Sequence, residues 1–410
     1  MGVRPVPPPM KVALFTGKGG VGKTTLAAAT GYAAARRGLR TLLLSTDAAH
    51  SLSDVLQIPL TGTPSAVPGS PDGLLHAAEV EVRAEFENAW SAVRANLVGL
   101  LAARGVAEVT ADEITVLPGA DEIICLLQVE RWAASGEYDV IVVDCAPTGE
   151  TLKLLALPDT LRFYADRFFS APARILRSLA AGLTGRAAGP GDQVRDTITE
   201  LLDRLARVRD LLTDPDRSGV RLVVTPEHMV IAEARRALTA LALHGYPVSS
   251  VLINRVLPQD VTGPWADRVR QSQQIQLAEA ESSFAALPIR RLETSDVEPL
   301  GGDRLETTAR LLYGDDDPFT RSPAPVLRVE GAAGRYSMTI PLPLADRSGL
   351  ALSRSDDDLI VTLGAHRRRI ALPSLLTRCR TTGATFQDNA LVITFEPDPD
   401  RWPSALAGAL

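Results

Sequence analysis

Apolar runs alternate with helical patterns along the first three quarters of the chain. Six of these runs have the length of a strand and contain few polar residues. They are Val12–Thr16, Thr41–Ser45, Leu74–Ala78, Val140–Asp144, Arg221–Thr225 and Ser250–Asn254. Near-continuous apolar runs are typical of strands buried on both faces, as in a parallel sheet covered by helices. The pattern therefore predicts an α/β fold with a doubly wound, mostly parallel sheet.

Two long stretches interrupt this alternation. They cover about residues 81–135 and 150–217 and are mostly helical in pattern. Because each is longer than a simple crossover between strands requires, we expect them to form a helical insertion, a subdomain beside the sheet.

The pattern changes after the large domain, which spans residues 1–313. Residues 314–325 are rich in Pro and Asp, which is typical of a linker. Short alternating runs follow, for example Tyr336–Leu342, and they predict an all-β domain over residues 326–396. Residues 397–410 are left as a tail.

The composition excludes several classes of protein. Of 410 residues, 45% are hydrophobic and 22% charged, as in a soluble globular protein. A formal charge of −6 argues against binding nucleic acid by bulk charge, so no nucleic-acid partner is expected. No charge-free apolar run reaches the ~18 residues of a membrane span. Three Cys without a C-x-x-C pair cannot form a disulfide framework, and a cytoplasmic location is expected.

A glycine-rich motif, GKGGVGKT, occupies residues 17–24 between the first predicted strand and a helical pattern. It matches G-x-x-x-x-G-K-[ST], in which backbone N–H groups and a helix N-terminus face phosphate oxygens. A glycine-rich turn that matches by chance is the alternative, and the flanking strand and helix argue against it. The phosphate-binding residues that the motif predicts are Gly19, Gly20, Val21, Gly22, Lys23, Thr24 and Thr25.

Three side chains around this motif are expected to carry chemistry. Lys23 would contact the β- and γ-phosphates, and the Thr24 hydroxyl would bind Mg²⁺. Asp144 ends an apolar strand, which is the Walker B pattern, and would hold Mg²⁺ directly or through water. The expected ligands are therefore ATP and Mg²⁺.

Lys18 follows the first glycine of the loop, where a plain phosphate loop needs no charge. One interpretation is a solvated loop charge. The other is a second cation directed at the transferring phosphate across a dimer interface, in the manner of an arginine finger.

The sequence resembles a known family at several motifs. GKGGVGKTT at residues 17–25 resembles the deviant Walker A motif of the family of ArsA arsenite ATPases and eukaryotic tail-anchored-protein targeting ATPases, with MinD and ParA as distant members. DCAPTGETLKLL at residues 144–155 resembles its switch II, with Cys145 for Thr and Glu150 for His. PGADE at residues 118–122 resembles a further motif of the ArsA and tail-anchor branch. MinD and ParA lack the A-P-T-G-x-T-L run, which favours that branch.

This resemblance implies roles for two charged residues. In the family the first lysine of the loop reaches the partner subunit's nucleotide, which implies a homodimer and this role for Lys18. STDAAHS at residues 45–51 resembles switch I, with Ala48 where Pro is usual, and implies that Asp47 orients the attacking water. An Asp that caps the next turn is the alternative for Asp47.

Base recognition is implied at two further positions. In the family an Asn of a late strand reads adenine, and Asn254 occupies the similar position here, although an Asn that ends a buried strand could equally be a turn residue. The segment that contains Pro299 resembles the loop that closes over adenine.

The C-terminal domain carries its own resemblance. Residues 384–395, ATFQDNALVITF, resemble the closing strands of α-crystallin (small heat-shock protein) domains, with Ala390 where Gly is usual. Such domains are β-sandwiches whose edges accept other strands, and a generic β-sandwich is the alternative. The fusion resembles bacterial and plastid members of the ATPase family.

Taken together, the resemblance implies an ATPase whose dimer opens and closes to gate the binding of hydrophobic helical client segments, with a membrane receptor as a further partner. Residues 157–183 would line the client groove, and ordinary helix–helix packing is the alternative. Without C-x-x-C pairs no zinc site is expected. A rival function is an arsenite- or antimonite-stimulated subunit of an efflux pump, and a third is a MinD- or ParA-like positioning ATPase.

Overall fold

A computed structural model describes residues 10–47, 51–81, 120–157, 190–319, 327–332 and 334–402. Most of the predicted helical insertion, including nearly all of the segment 157–183, lies outside these residues, as do Ala48, Pro118 and Gly119. Among the described residues, no helix combines the length and apolarity that crossing a membrane requires.

Eight strands of the described chain form one large sheet in the order β3-β4-β2-β5-β1-β6-β7-β8. They are Lys11–Thr16 (β1), Thr41–Ser45 (β2), Ser65–Ala66 (β3), Leu75–Glu79 (β4), Val140–Asp144 (β5), Ser218–Val224 (β6), Val248–Val256 (β7) and Ile289–Glu293 (β8). All neighbours are parallel except β3, which runs antiparallel to β4. The predicted doubly wound α/β fold is confirmed, and each predicted apolar run is a strand of this sheet.

Helices cover the sheet. They are Lys23–Ala35 (α1), Ser51–Leu56 (α2), Ala120–Ser135 (α3), Pro190–Thr213 (α4), His228–His244 (α5), Pro264–Ser283 (α6) and Gly302–Tyr313 (α7), and residues 148–157 are also helical. Helix α1 is buried over almost its whole length, since its alanines favour a helix and allow close packing against the sheet and α7. Helices α3 and α4 are joined by Glu130, which pairs with Arg204 and Arg207 at 3.0 and 2.9 Å.

A buried arginine ties the end of the large domain to the sheet. The Arg221 guanidinium in β6 lies 5.1 Å from the ring centroids of both Phe15 and Phe319. It donates to Tyr313 Oη at 2.7 Å and to the Pro318 carbonyl. Residues 314–319, the first half of the predicted linker, are therefore packed on the large domain.

The C-terminal domain consists of two antiparallel sheets. One has the order β14-β15-β10-β9 and the other β11-β12-β13. The strands are Arg328–Ala332 (β9), Arg335–Pro341 (β10), Leu350–Ser355 (β11), Asp358–Leu363 (β12), His366–Ala371 (β13), Cys379–Gln387 (β14) and Ala390–Pro397 (β15), with a short helix Ser374–Thr377 (α8). Met338, Val361 and Ile393 are among the fully buried side chains of its core.

The C-terminal domain is docked on helix α5. Leu243 of α5 is fully buried in the core of the C-terminal domain. Arg368 of β13 is also buried, and its Nη1 donates to the Leu243 carbonyl at 2.6 Å, while Thr239 Oγ1 donates to the Pro343 carbonyl at 2.7 Å. Because the carbonyls at a helix C-terminus lack intrahelical donors, Arg368 both caps α5 and joins the domains.

Candidate nucleotide site

The glycine-rich loop connects β1 to α1, as the motif predicts. A Cβ at Gly17 would lie 2.2 Å from the Val223 carbonyl oxygen, because the loop passes directly against β6. Gly22 has a φ of +95°, a left-handed conformation that favours glycine. The loop therefore has the backbone freedom and the close approach that a phosphate-binding loop requires.

Asn254 lies against this loop. It is buried near the end of β7, and its Nδ2 donates to the Val21 carbonyl at 2.9 Å. A Cβ at Gly22 would lie 2.3 Å from the same Nδ2 atom, so the amide also requires a glycine there. Base recognition by Asn254 stays a prediction, and the structure adds that Asn254 supports the phosphate loop.

The two loop lysines differ in environment. Lys23 is 6% exposed, and its Nζ donates to the Lys18 carbonyl at 3.5 Å. Lys18 itself is exposed. Lys23 thus points into the loop, where a phosphate would lie, whereas Lys18 faces away from the core. The role of Lys18 toward a partner subunit stays a prediction.

Asp144 is a fully buried carboxylate at the end of β5. Among the described residues, neither of its oxygens has a partner that meets full hydrogen-bond geometry. Burial raises the pKa of Asp144 to about 7, and the nearby Thr24 hydroxyl and the Lys23 charge only partly oppose this shift. A buried carboxylate beside a hydroxyl fits a hard cation such as Mg²⁺, which prefers oxygen ligands. Asp144 and Thr24 are therefore suited to hold magnesium.

Asp47 lies just beyond β2, on the same edge of the sheet. Its backbone N–H donates to Ser45 Oγ at 3.3 Å, and its side chain is close enough to Asp144 to raise the pKa of Asp144. The structure thus brings Asp47 near the predicted magnesium ligands. Its role in orienting water stays a prediction.

Glu79 is a site residue that the sequence reasoning missed. It ends β4, next to Ser45 of β2, which in turn lies next to Asp144 of β5. It is 3% exposed, and its Oε1 and Oε2 each lie 2.9 Å from Ser53, accepting from the backbone N–H and from the hydroxyl. A signal was present, because the apolar run Leu74–Ala78 is followed by an acidic residue.

The start of the predicted switch II is also held at this edge. The Cys145 N–H donates to the Phe15 carbonyl at 3.1 Å, and Thr151 Oγ1 donates to the Ala146 carbonyl at 2.7 Å. Glu150, which replaces the family's His, is exposed. The segment therefore passes from the buried end of β5 to the surface within six residues.

The segment with Pro299 lies against helix α2. Pro299 is half-buried, and the Gly301 N–H donates to the Val55 carbonyl at 2.9 Å. The structure thus connects this segment, named here the 299–301 loop, to the same short helix that Glu79 holds. Its contact with adenine stays a prediction.

Comparisons with known proteins agree with this geometry. The chain matches the family described as "Anion-transporting ATPase" over residues 10–314 and the family described as "HSP20-like domain found in ArsA" over residues 333–395. A "Putative arsenical pump-driving ATPase" of Prosthecochloris vibrioformis is 37% identical, over 94% of this chain and 96% of that protein. "Protein Rv2184c" of Mycobacterium tuberculosis is 35% identical, over 97% and 99%. "ATPase GET3B" of Arabidopsis thaliana is 30% identical, over 74% and 79%.

Proposed function

This chain belongs to the anion-transporting ATPase family, and from that membership we propose that it is a magnesium-dependent ATPase. The observation that carries the proposal is the fully buried Asp144 carboxylate, which lies beside Thr24 and a complete phosphate loop and whose oxygens, within the described part of the chain, accept no hydrogen bond of full geometry. Bound magnesium would neutralise charge on the β- and γ-phosphate oxygens.

The chain's own groups have separate tasks in this reaction. The backbone N–H groups of residues 19–25 bind phosphate oxygens, and Asn254 holds the loop through the Val21 carbonyl. Lys23 supplies a compact positive charge at the γ-phosphate. Asp47 orients the attacking water and accepts its proton.

We further propose that the active form is a homodimer. Each chain carries a single phosphate loop, and Lys18 is exposed, whereas Lys23 of the same loop is buried. In a dimer with the nucleotide near the interface, Lys18 would place a second positive charge on the partner's γ-phosphate, where charge develops during transfer.

The output that we propose is ATP-gated binding of hydrophobic client segments, followed by their delivery to a membrane receptor. The HSP20-like domain and the resemblance of residues 144–155 to switch II support it. Residues 157–183, which would line the client groove, lie almost wholly outside the described residues.

A second candidate is ATP hydrolysis stimulated by arsenite or antimonite, which the names of several relatives favour. The cysteines fit it poorly. All three are buried, and Cys379 belongs to the C-terminal domain. Burial raises the pKa of both Cys145 and Cys379, which keeps them as thiols, whereas thiolates are the form that binds soft metalloids.

Phosphate release from ATP, measured with Mg²⁺ and with EDTA, tests the hydrolase proposal. We expect release only with Mg²⁺, and loss of it in Lys23→Ala and Asp144→Asn. Arg268→Ala, which removes an exposed positive charge on α6, is the control and should act as wild type. Magnesium-independent release, or an active Lys23→Ala variant, would contradict the proposal.

The Asp47→Asn variant, which should retain bound ATP, tests the client. A transmembrane-helix peptide should co-elute with it at dimer mass in gel filtration with Mg-ATP but not with ADP. No retention in either state would contradict client binding, and stimulation of the wild type by antimonite would then favour the second candidate.

A further inference from the structure

Helix α2 contacts three parts of the candidate site through three of its six residues. Ser51 Oγ lies 3.0 Å from Thr24 Oγ1, the predicted magnesium ligand. Ser53 is held by Glu79 through two hydrogen bonds. The Val55 carbonyl accepts the Gly301 N–H at 2.9 Å. The helix therefore spans the distance between the metal side of the site and the 299–301 loop.

Glu79 is the charged anchor of this helix. The Ser53 N–H is in the first turn of α2, where N–H groups lack intrahelical acceptors, and a carboxylate there also interacts favourably with the helix dipole. Glu79 is nearly inaccessible, and both of its oxygens are engaged by Ser53. Its burial and its two hydrogen bonds to Ser53 indicate that Glu79 holds α2 in place.

The contact between Thr24 and Ser51 connects the anchor to the metal. A hydroxyl has one proton and two lone pairs. When a cation binds a lone pair of the Thr24 oxygen, the Thr24 proton is left to donate to the Ser51 oxygen. Binding at Thr24 thereby selects one orientation of the Ser51 hydroxyl. Because Glu79 holds α2, a change in the contact between Ser51 and Thr24 also acts on Val55 and on the 299–301 loop that Val55 binds.

We propose that Glu79 is a positioning residue for ATP hydrolysis, and that by anchoring α2 it couples magnesium binding at Thr24 to the 299–301 loop. This inference rests on the proposed ATPase function. It adds a residue that acts through α2, and it makes nucleotide release depend on magnesium through that helix.

Release of the fluorescent nucleotide mant-ADP, measured with and without Mg²⁺, tests the coupling. In the wild type we expect Mg²⁺ to slow release. In Glu79→Ala the Mg²⁺ effect should disappear, the Mg²⁺-free rate should stay as in wild type, and kcat for ATP should fall about 10-fold. Glu79→Gln should restore both, because an amide can accept from the Ser53 N–H and donate to its hydroxyl.

Two variants separate positioning from folding. Ser53→Ala removes only the hydroxyl contact, so it should weaken the Mg²⁺ effect, and adding it to Glu79→Ala should cause no further loss. Glu81→Ala is the matched control, since Glu81 is an exposed carboxylate that accepts the Gly62 N–H at 3.0 Å instead of a donor of α2. Thermal unfolding of each variant measures stability independently.

Other results would overturn the inference. A Glu79→Gln variant as impaired as Glu79→Ala would mean that the charge acts directly on metal or water. Retention of the Mg²⁺ effect in Glu79→Ala would remove the coupling. A wild type that binds no mant-ADP would overturn the proposed ATPase, and this inference with it, whereas failure of the variants alone leaves the ATPase intact.

Discussion

At the scale of single residues, the buried Asp144 carboxylate lowers the free energy of unfolding at neutral pH when no cation is bound. Its pKa is raised from 3.8 to about 7 by burial. A raised carboxyl pKa means that the folded state holds a proton that the unfolded state releases, so the group costs stability as pH rises from about 4 to 7. The shift corresponds to a cost on the order of 4 kcal/mol above pH 7.

Asp144→Asn should therefore raise the melting temperature at pH 7.5 in EDTA, while it abolishes stabilisation by Mg-ATP. At pH 4 the wild-type group is protonated in the folded state and, with an ordinary pKa of 3.8, about half ionised in the unfolded state, so little of the cost remains and the two proteins should melt at similar temperatures. Calorimetry across this pH range checks the prediction. An Asn variant that is less stable than the wild type in EDTA at pH 7.5 would contradict it.

Nucleotide selectivity can separate the observed loop contact of Asn254 from its predicted role in base recognition. Asn254→Ala removes the hydrogen bond to the Val21 carbonyl and should raise KM by up to about 10-fold, the effect of one lost hydrogen bond. If loop support is its main role, KM for ATP and GTP will rise together. A loss of preference for ATP over GTP, with little change for GTP, would instead favour base recognition.

At the scale of elements, Arg221 joins β6, α7 and residues 314–319. Because it is buried among aromatic rings and donates to Tyr313, Arg221→Ala should cost roughly 2–4 kcal/mol of unfolding free energy. Phe319, now 6% exposed, should become accessible to chymotrypsin. Equal cleavage after Phe319 in the variant and in the wild type would contradict this prediction. Arg268→Ala, which removes an exposed arginine, is the control and should be cleaved as the wild type is.

The elements also show what the sequence could predict. The central strands are continuous apolar runs, so their position was evident. Strand β8, Ile289–Glu293, was missed because it is an edge strand whose arginines and glutamate interrupt the apolar pattern. The site followed the same division. Residues of one Walker motif are neighbours in sequence, so each motif could be predicted. The contact of Asn254 with Val21 joins residues 233 positions apart, so it could not.

At the scale of the whole molecule, the docking of the two domains through α5 should make them unfold together. Leu243 is buried in the core of the C-terminal domain, and buried Arg368 caps α5 from β13. Helix α5 also follows β6, whose Val223 carbonyl lies directly against Gly17 of the phosphate loop. Wild-type calorimetry should therefore show one transition, which Mg-ATP shifts as a whole.

Arg368→Ala should split this transition into two, of which Mg-ATP shifts only that of the ATPase domain. The control Arg367→Ala, which removes an exposed arginine, should keep one transition. Two separate transitions in the wild type would show that the docking is too weak to couple the domains.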